Sequence, residues 1–313
     1  MLEARLLERI ERKKAQLDAL RPLPVAVVNR LRELILVEWI YNSNAIEGST
    51  LTLQETRLIL ETGLTIGGKT LREHFEVTNH RDAIQYVEQL AVRNEAMTPF
   101  HVRQIHKIGL SQVDDASAGN YRSTQVRIAG AEHFPPEAWE VPARMTAWGE
   151  WLIQSGQSTH PVVLAALAHH RLVEIHPFVD GNGRTARLVM NLQLMQHGYP
   201  PTVILRTDRQ SYYRVLSLAD DGIEKSLINF IGKAVERSLT LYLEACIEQT
   251  AKPKKDDVWI SLAEAAQEIP YSQEYLSLLA RMGRIEAVKR GRNWFTTRKA
   301  IESYMKTLGS KLT

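Results

Sequence analysis

Between His176 and Arg187 the chain reads HPFVDGNGRTAR, a run in which nearly every polar residue has a chemical use. Gly181 and Gly183 flank Asn182, so successive backbone amides can turn toward one point with no Cβ in the way, the geometry of an anion nest. Arg184 then opens a helix whose N-terminal amides and dipole favour the same anion. Arg187 follows three residues later on the same helix face, and two guanidinium forks there suit polyphosphate oxygens. Asp180 is the one acid of the run, and one carboxylate with phosphate oxygens and waters is a usual way to hold Mg2+. The imidazole of His176 titrates near neutrality and could take the proton of an incoming hydroxyl. Each residue also has an ordinary structural use, but their joint occurrence in twelve residues points to chemistry on a phosphate ester.

The elements that must position this run are mostly helices. Apolar Val162, Leu164, Leu167, Leu172 and Ile175 make 161–175 a largely buried helix that delivers His176 to a loop. Leu2, Leu6, Ile10, Leu17 and Leu20 predict an amphipathic first helix, ended by Pro22 and Pro24. A second helix is predicted from about 25 to 46, stopped by Gly48, and Thr52 to Glu55 is a capping box opening a third. Helical patterns recur at 71–90, 99–110, 141–154, 184–197, 208–219 and 224–249. Residues 124–134 differ, with β-compatible ends around Ala129 and Gly130 that predict a short hairpin.

The 313 residues suffice for one large domain and a small one, and their balance of 44% hydrophobic and 24% charged is that of a globular protein. No apolar run is long enough to span a bilayer, and the charged N-terminus is no signal peptide, so a cytoplasmic protein without a membrane contact is expected. A single cysteine, Cys246, excludes an internal disulfide and a thiolate metal cluster. Residues 250–313 carry twelve Lys and Arg against seven Asp and Glu, whereas the rest is slightly acidic. The polar stretch 252–257 marks the expected domain boundary. Beyond it, a capped helix at Ser261, a helix at about 272–281, two strands within 285–296 and a helix at 298–307 follow the order of a winged helix-turn-helix. Gln273, Arg281, Lys289, Arg290 and Arg292 are its candidate DNA contacts. Protein docking is the alternative role.

The central run matches, at every defined position, the motif H-x-F-x-[D/E]-G-N-G-R-x-x-R, and on it the chain resembles Fic-domain proteins. That resemblance implies a mainly helical core, with a β-hairpin flap, that moves AMP from ATP to a Ser, Thr or Tyr hydroxyl of a target protein. It makes His176 the base and Asp180 the Mg2+ ligand. Gly181, Asn182, Gly183 and Arg184 would cradle the phosphates, and Arg187 would hold the γ-phosphate. Residues 119–136 resemble the family's flap, with Arg127, Ile128, Ala129 and Gly130 as the strand that aligns a target segment. Tyr212, Tyr213 and Asp220 fall at the adenine side. Where many relatives carry Asn, this chain has Asp220, which when ionised accepts hydrogen bonds but donates none. Gly183 stands where the phosphotransferase branch has Lys, which favours adenylyl transfer.

Ser43-Asn44-Ala45-Ile46-Glu47-Gly48 resembles the family's inhibitory motif [S/T]-x-x-x-E-[G/N]. Ser43 and Glu47, four apart, can face one site, and the resemblance pairs Glu47 with Arg187 so that ATP binds unproductively. The implied organisation is N-terminal helices with the inhibitory motif at 1–50, a catalytic core at 51–250 and the winged module at 256–313. Two alternatives stand beside autoinhibited AMP transfer: a DNA-binding regulator that senses nucleotide through the Fic fold, and an enzyme that also removes AMP. A second copy of the chain is the remaining partner considered. Gly63 to Thr70 also satisfies the pattern G-x-x-x-x-G-K-[ST], but a phosphate loop requires a preceding buried strand and a capped helix is predicted there, so a plain connection is expected.

Overall fold

The structure, a computed structural model, describes residues 1–128, 133–250, 258–269, 271–291 and 293–309. The boundary stretch 252–257, the flap residues Ala129 and Gly130, and Arg292 of the wing lie outside these. The chain divides into two compact units, Met1–Cys246 and Ile247–Thr313.

The first unit is helical: α1 (Ala4–Ala19), α2 (Val25–Ile46), α3 (Leu53–Thr62), α4 (Leu71–Arg93), α5 (Pro99–Leu110), α6 (Val141–Ser155), α7 (Pro161–Ile175), α8 (Asn182–Gln196), α9 (Arg209–Asp220) and α10 (Glu224–Thr250). Helix α8 is its axis. Residues on every face of α8 are buried, including Arg184, Arg187, Leu188, Val189, Met190 and Leu192, the pattern of a helix enclosed by its neighbours. On one side Met190 and Leu194 join α1, α2, α9 and α10 around Leu6, Ile10, Leu31, Val215 and Ile231. On the other, Leu188, Val189 and Leu192 pack with Ile84, Ile105, Met145 and Leu172 of α4, α5, α6 and α7. The N-terminal helices therefore share the core that carries the central run.

The Gly63–Thr70 stretch is a helix–helix connection. Thr70 caps α4, its hydroxyl accepting from Glu73 N while the Glu73 carboxylate accepts from Thr70 N. Lys69 Nζ donates to the Thr50 carbonyl at 2.7 Å. With α3 in front and the lysine spent on a loop carbonyl, no phosphate loop forms.

The second unit holds β1 (Trp259–Ser261), α11 (Leu262–Glu268), α12 (Gln273–Arg281), β2 (Ala287–Arg290), β3 (Asn293–Thr297) and α13 (Arg298–Gly309). The sheet order is β1-β3-β2, antiparallel throughout, with Ile260 opposite Thr296 and Val288 opposite Phe295. Ile260, Leu262, Leu276, Leu279, Ile285 and Ile301 form its own core. Strand β1 is absent from the sequence expectation because it has three residues, the last of which, Ser261, is also the cap of α11.

Because Lys69 holds Thr50 rather than the anion nest, Lys69→Ala should leave nucleotide affinity within about twofold while lowering stability by roughly 1 kcal/mol or less. Nucleotide titration and thermal unfolding of the variant measure both.

Candidate active site

His176 ends α7 in the left-handed region (φ 49°, ψ 59°), so the chain turns sharply and the ring leaves the helix axis. Its Nδ1 lies 3.2 Å from the Val173 carbonyl. A carbonyl only accepts, so Nδ1 carries the proton and Nε2 is left as the basic nitrogen. Burial pushes the His176 pKa down, opposed by the Val173 bond and reinforced by the nearby Arg122 cation. The ring is therefore neutral at physiological pH.

Three side chains shape the loop between His176 and α8. Asn182 accepts from Phe178 N at 2.9 Å and donates to the Phe178 carbonyl at 2.8 Å, closing the loop on itself. His106 of α5 stacks on Phe178, ring centroids 3.6 Å apart and planes 4° from parallel. Its Nδ1 accepts from Gly119 N, which leaves Nε2–H to donate to the Asp180 carbonyl, both at 2.9 Å. Burial holds this imidazole neutral, its pKa down at about 4. Arg122 donates through Nε to the His176 carbonyl and through its amide to the Pro177 carbonyl. Gly181 takes φ +74°, and a Cβ there would lie 2.7 Å from Leu110, so this turn requires glycine.

At the start of α8 the charges interlock. Arg184 Nη1 meets Glu76 of α4 at 3.1 Å, and Asp180 accepts from Arg72 Nη2 at 2.5 Å and from Gly181 N at 2.6 Å. Burial would raise the Asp180 carboxyl, but Arg184, the Gly181 amide and Arg72 outweigh it and hold it below the usual range. Arg187, 3% exposed, donates through Nε to Ser43 Oγ at 3.0 Å. Its Nη2 donates to the Ser43 carbonyl at 2.8 Å and to Glu47 Oε1 at 2.7 Å. A Cβ on Gly183 would stand 2.3 Å from that same Glu47 oxygen, so the carboxylate lies directly over the glycine nest. Arg184 Nε and Arg187 Nη1 are buried without a hydrogen-bond partner among the described residues. Buried cationic donors left open in this way are costly and mark an anion site.

The structure thus brings Ser43 and Glu47 onto the central run. Gly48 follows in an exposed turn at φ +105°. Tyr213 donates to the Ile46 carbonyl at 3.3 Å, as does Arg209 Nε at 2.8 Å, so α9 fastens the end of α2. Tyr212 corrects the expectation of a base-lining residue. It is 1% exposed, its hydroxyl bonded to His169 Nε2 at 2.7 Å and set beside Arg187, because the α9 register turns it into the core. Asp220 pairs with His170 Nε2 at 2.8 Å beside a cavity of about 530 Å³. A larger cavity, about 1210 Å³, lies near the far end of α8 by Met195 and Tyr242, and no residue of the central run lines it.

Of the hairpin expected over 124–134, residues 124–128, 133 and 134 are described, and Arg127 and Ile128 among them lie outside regular secondary structure. Side chains join the residues on either side of it, Arg122 Nη2 donating to the Pro136 carbonyl and Gln125 Nε2 to the Pro135 carbonyl at 3.0 Å. Gln273, Arg281 and Lys289 are exposed on the second unit. Sequence reasoning missed His106, Arg72, Glu76 and Arg209, whose links to Asp180, Arg184 and Ile46 cross 74 to 163 residues and leave no local pattern.

A helical domain with a glycine nest, two buried arginines and a neutral imidazole at the start of its central helix is an anion-handling catalytic fold. The Fic/DOC family matches residues 96–194. The protein adenylyltransferase Fic of Nematostella vectensis is 38% identical over 244 residues, 77% of this chain and 56% of that protein. Its counterpart in Drosophila melanogaster is 40% identical over 245 residues, covering 78% and 49%. The chain spans about half the length of these curated relatives. Among solved structures, a Fic domain containing signaling protein from Bacteroides thetaiotaomicron superposes with a TM-score of 0.73 at 30% identity, over 78% of this chain and all of that one. Fic-1 from C. elegans gives 0.71 at 31% identity, over 79% and 74%. This chain belongs to the Fic/DOC family.

A base must be neutral to accept a proton, so with His176 as the expected base its depressed pKa should place the acid limb of kcat/KM below the ordinary imidazole value of about 6.5. A pH–rate profile with an acid limb above 7 would contradict the burial argument.

Proposed function

We propose that this chain is an autoinhibited protein adenylyltransferase, moving AMP from ATP to a Ser, Thr or Tyr hydroxyl of a target protein. One observation carries the reading: the Glu47 carboxylate on Arg187, over the nest of Gly183 and beside a neutral His176. The amides of Gly181 to Gly183 and the Arg184 guanidinium would receive the α- and β-phosphates, and Arg187 the γ-phosphate. His176 Nε2 takes the proton of the attacking hydroxyl as its oxygen bonds to the α-phosphorus. The bond from that phosphorus to the β-bridging oxygen breaks, and pyrophosphate leaves. Positioning and charge neutralisation supply most of the acceleration.

Asp180 fits a Mg2+ ligand: its half-exposed carboxylate, at the lip of the nest, already carries a cationic partner in Arg72. No cluster of three or more His, Cys, Asp or Glu side chains is present among the described residues, which suits an ion shared between one carboxylate and the substrate's phosphates. Bound there, Mg2+ would neutralise phosphate charge. Glu47 blocks the productive pose because a carboxylate on Arg187 repels a phosphate seeking the same fork. In this reading the flap segment around Arg127 and Ile128 aligns the target, and Tyr213 and Asp220 face the base.

For the second unit we propose a winged helix-turn-helix with α12 and the β2–β3 connection facing DNA. The exposed Gln273, Arg281 and Lys289 and the basic composition support this.

Glu47→Gly should raise transfer of label from ATP, including self-modification, by about tenfold or more, the ratio set by about 1.4 kcal/mol of lock. Adding His176→Ala should return it to background; equal incorporation by wild type and Glu47→Gly would overturn autoinhibition. The full chain should shift duplex DNA at low salt, with affinity falling steeply as salt rises. No shift at low salt would leave protein docking as the role of this unit.

A further inference from the structure

The cavity of about 1210 Å³ at the far end of α8 lies between α2, α4, the residues that follow α8, and α10, all within the first unit. A recess of about 180 Å³ adjoins it, and Val28, Arg32, Glu88, Met195, Pro201 and Tyr242 wall both spaces. The remaining walls of the recess are Ile35, Leu36, Trp39 and Ile84, so its inner end is largely apolar. Val28, Arg32, Ile35, Leu36 and Trp39 recur at helical spacing, and one stripe of α2 therefore forms this wall. An apolar cavity of about 150 Å³ is enough to hold a benzene ring. The recess accordingly takes a ring or a short alkyl chain, whereas a helix, about 10 Å across, cannot enter it.

The outer cavity is where charge collects. Arg21, Arg32 and Arg93 line it against a single carboxylate, that of Glu88. Arg21 is held by Asp18 and by the Gly198 carbonyl, and Arg93 by Glu95 at 3.4 Å. Neither Asp18 nor Glu95 is a wall of the cavity. Glu88 occupies Nε and Nη2 of Arg32 and leaves Nη1. The Tyr242 hydroxyl has no hydrogen-bond partner among the described residues, and burial with the Glu88 charge nearby pushes its pKa up to about 12. It is thus a neutral donor. Arg32 and Tyr242 stand where the apolar recess meets the open cavity, an arrangement suited to a tail that carries an anionic head.

We propose that the cavity and its recess form a binding site for a small amphipathic anion, a medium-chain carboxylic acid, with the alkyl tail in the recess and the carboxylate at Arg32. The carboxylate takes the Nη1 side of the guanidinium while Glu88 keeps the other, and Tyr242 supplies a second donor. The tail covers apolar surface of Ile35, Trp39 and Ile84. No residue is shared with the central run, so this site stands or falls independently of the nucleotide site.

Calorimetry of the full chain with hexanoate, octanoate, decanoate and 1-octanol tests the assignment. Affinity should rise by about fourfold per methylene and level off once the recess is full, at one acid per chain. Val28 is 36% exposed at the junction of the two spaces, so Val28→Trp should shut out the tail and weaken octanoate by about tenfold or more. Arg32→Gln, at an exposed side chain, should weaken octanoate by about threefold at low salt and leave 1-octanol unchanged. Thermal unfolding without ligand shows that both variants keep the fold. Binding of none of the acids at millimolar concentration would overturn the proposal. So would affinity that climbs with chain length without levelling off, or that neither substitution moves, since that is adventitious adsorption. Equal affinity for octanoate and 1-octanol would overturn the anionic head.

Discussion

A guanidinium buried in the middle of a protein has to find oxygen, and much of the first unit is arranged around that demand at Arg187. Helix α8 is enclosed on all sides, so its arginines cannot reach water by extending. Burial disfavours the Arg187 cation, and Glu47 together with Tyr212 outweighs it, leaving its pKa raised. Ser43 supplies both a hydroxyl and a carbonyl, and Tyr212, backed by His169, closes the interior side. The C-terminal turn of α2 is thus tied to the core through a cation, and that tie brings Glu47 over the nest. Losing the carboxylate without a replacement anion would strand a buried charge, which is why such pairs are costly to break from one side. A phosphate is a replacement of the right sign and geometry.

The loop before α8 depends on a second set of fixed contacts. Asn182 uses its side-chain amide to close the turn, which leaves its backbone amide, with that of Gly183, for the nest, while the Gly181 amide donates to Asp180. His106 fixes Asp180 from outside through its carbonyl, and the stack on Phe178 fixes the ring in turn. Both histidines near the loop are kept neutral by burial, but they do different work. In His106 both nitrogens are occupied, so it can only position; in His176 one nitrogen is occupied and Nε2 remains for chemistry. Arg122 joins this loop to the flap's base, so the part that would hold a target and the part that would hold a nucleotide share one anchor.

What was legible in the sequence follows the range of the interactions. Helices of the first unit announce themselves by periodicity and by caps such as Thr52, because these signals lie within four residues of each other. The central run is legible for the same reason: a nest and a helix start are local. Glu47 could be linked to Arg187 only through a family resemblance, since 140 residues separate them. His106 and Arg72 had no signal, because a histidine in an amphipathic helix looks like any other half-buried residue. Tyr212 and Tyr213 show the limit of register. Adjacent on α9, they diverge by about 100° around the helix, and that rotation sends one into the core and the other to the α2 carbonyl.

Charge at the site is already balanced before any ligand is considered. Asp180 is met by Arg72, Arg184 by Glu76, and Arg187 by Glu47, and all three of these counter-ions come from the N-terminal part of the chain. They differ in depth, and depth sets what each is worth. Arg72 is more than half exposed, so water and salt screen its hold on Asp180 and a divalent cation has only a weak competitor there. Arg187 is almost fully enclosed, so water and salt screen its hold on Glu47 far less. A triphosphate with its metal would have to displace one cation from Asp180 and one anion from Arg187. In the proposed reading the second exchange is the one that moves the end of α2, where Arg209 and Tyr213 both hold the Ile46 carbonyl.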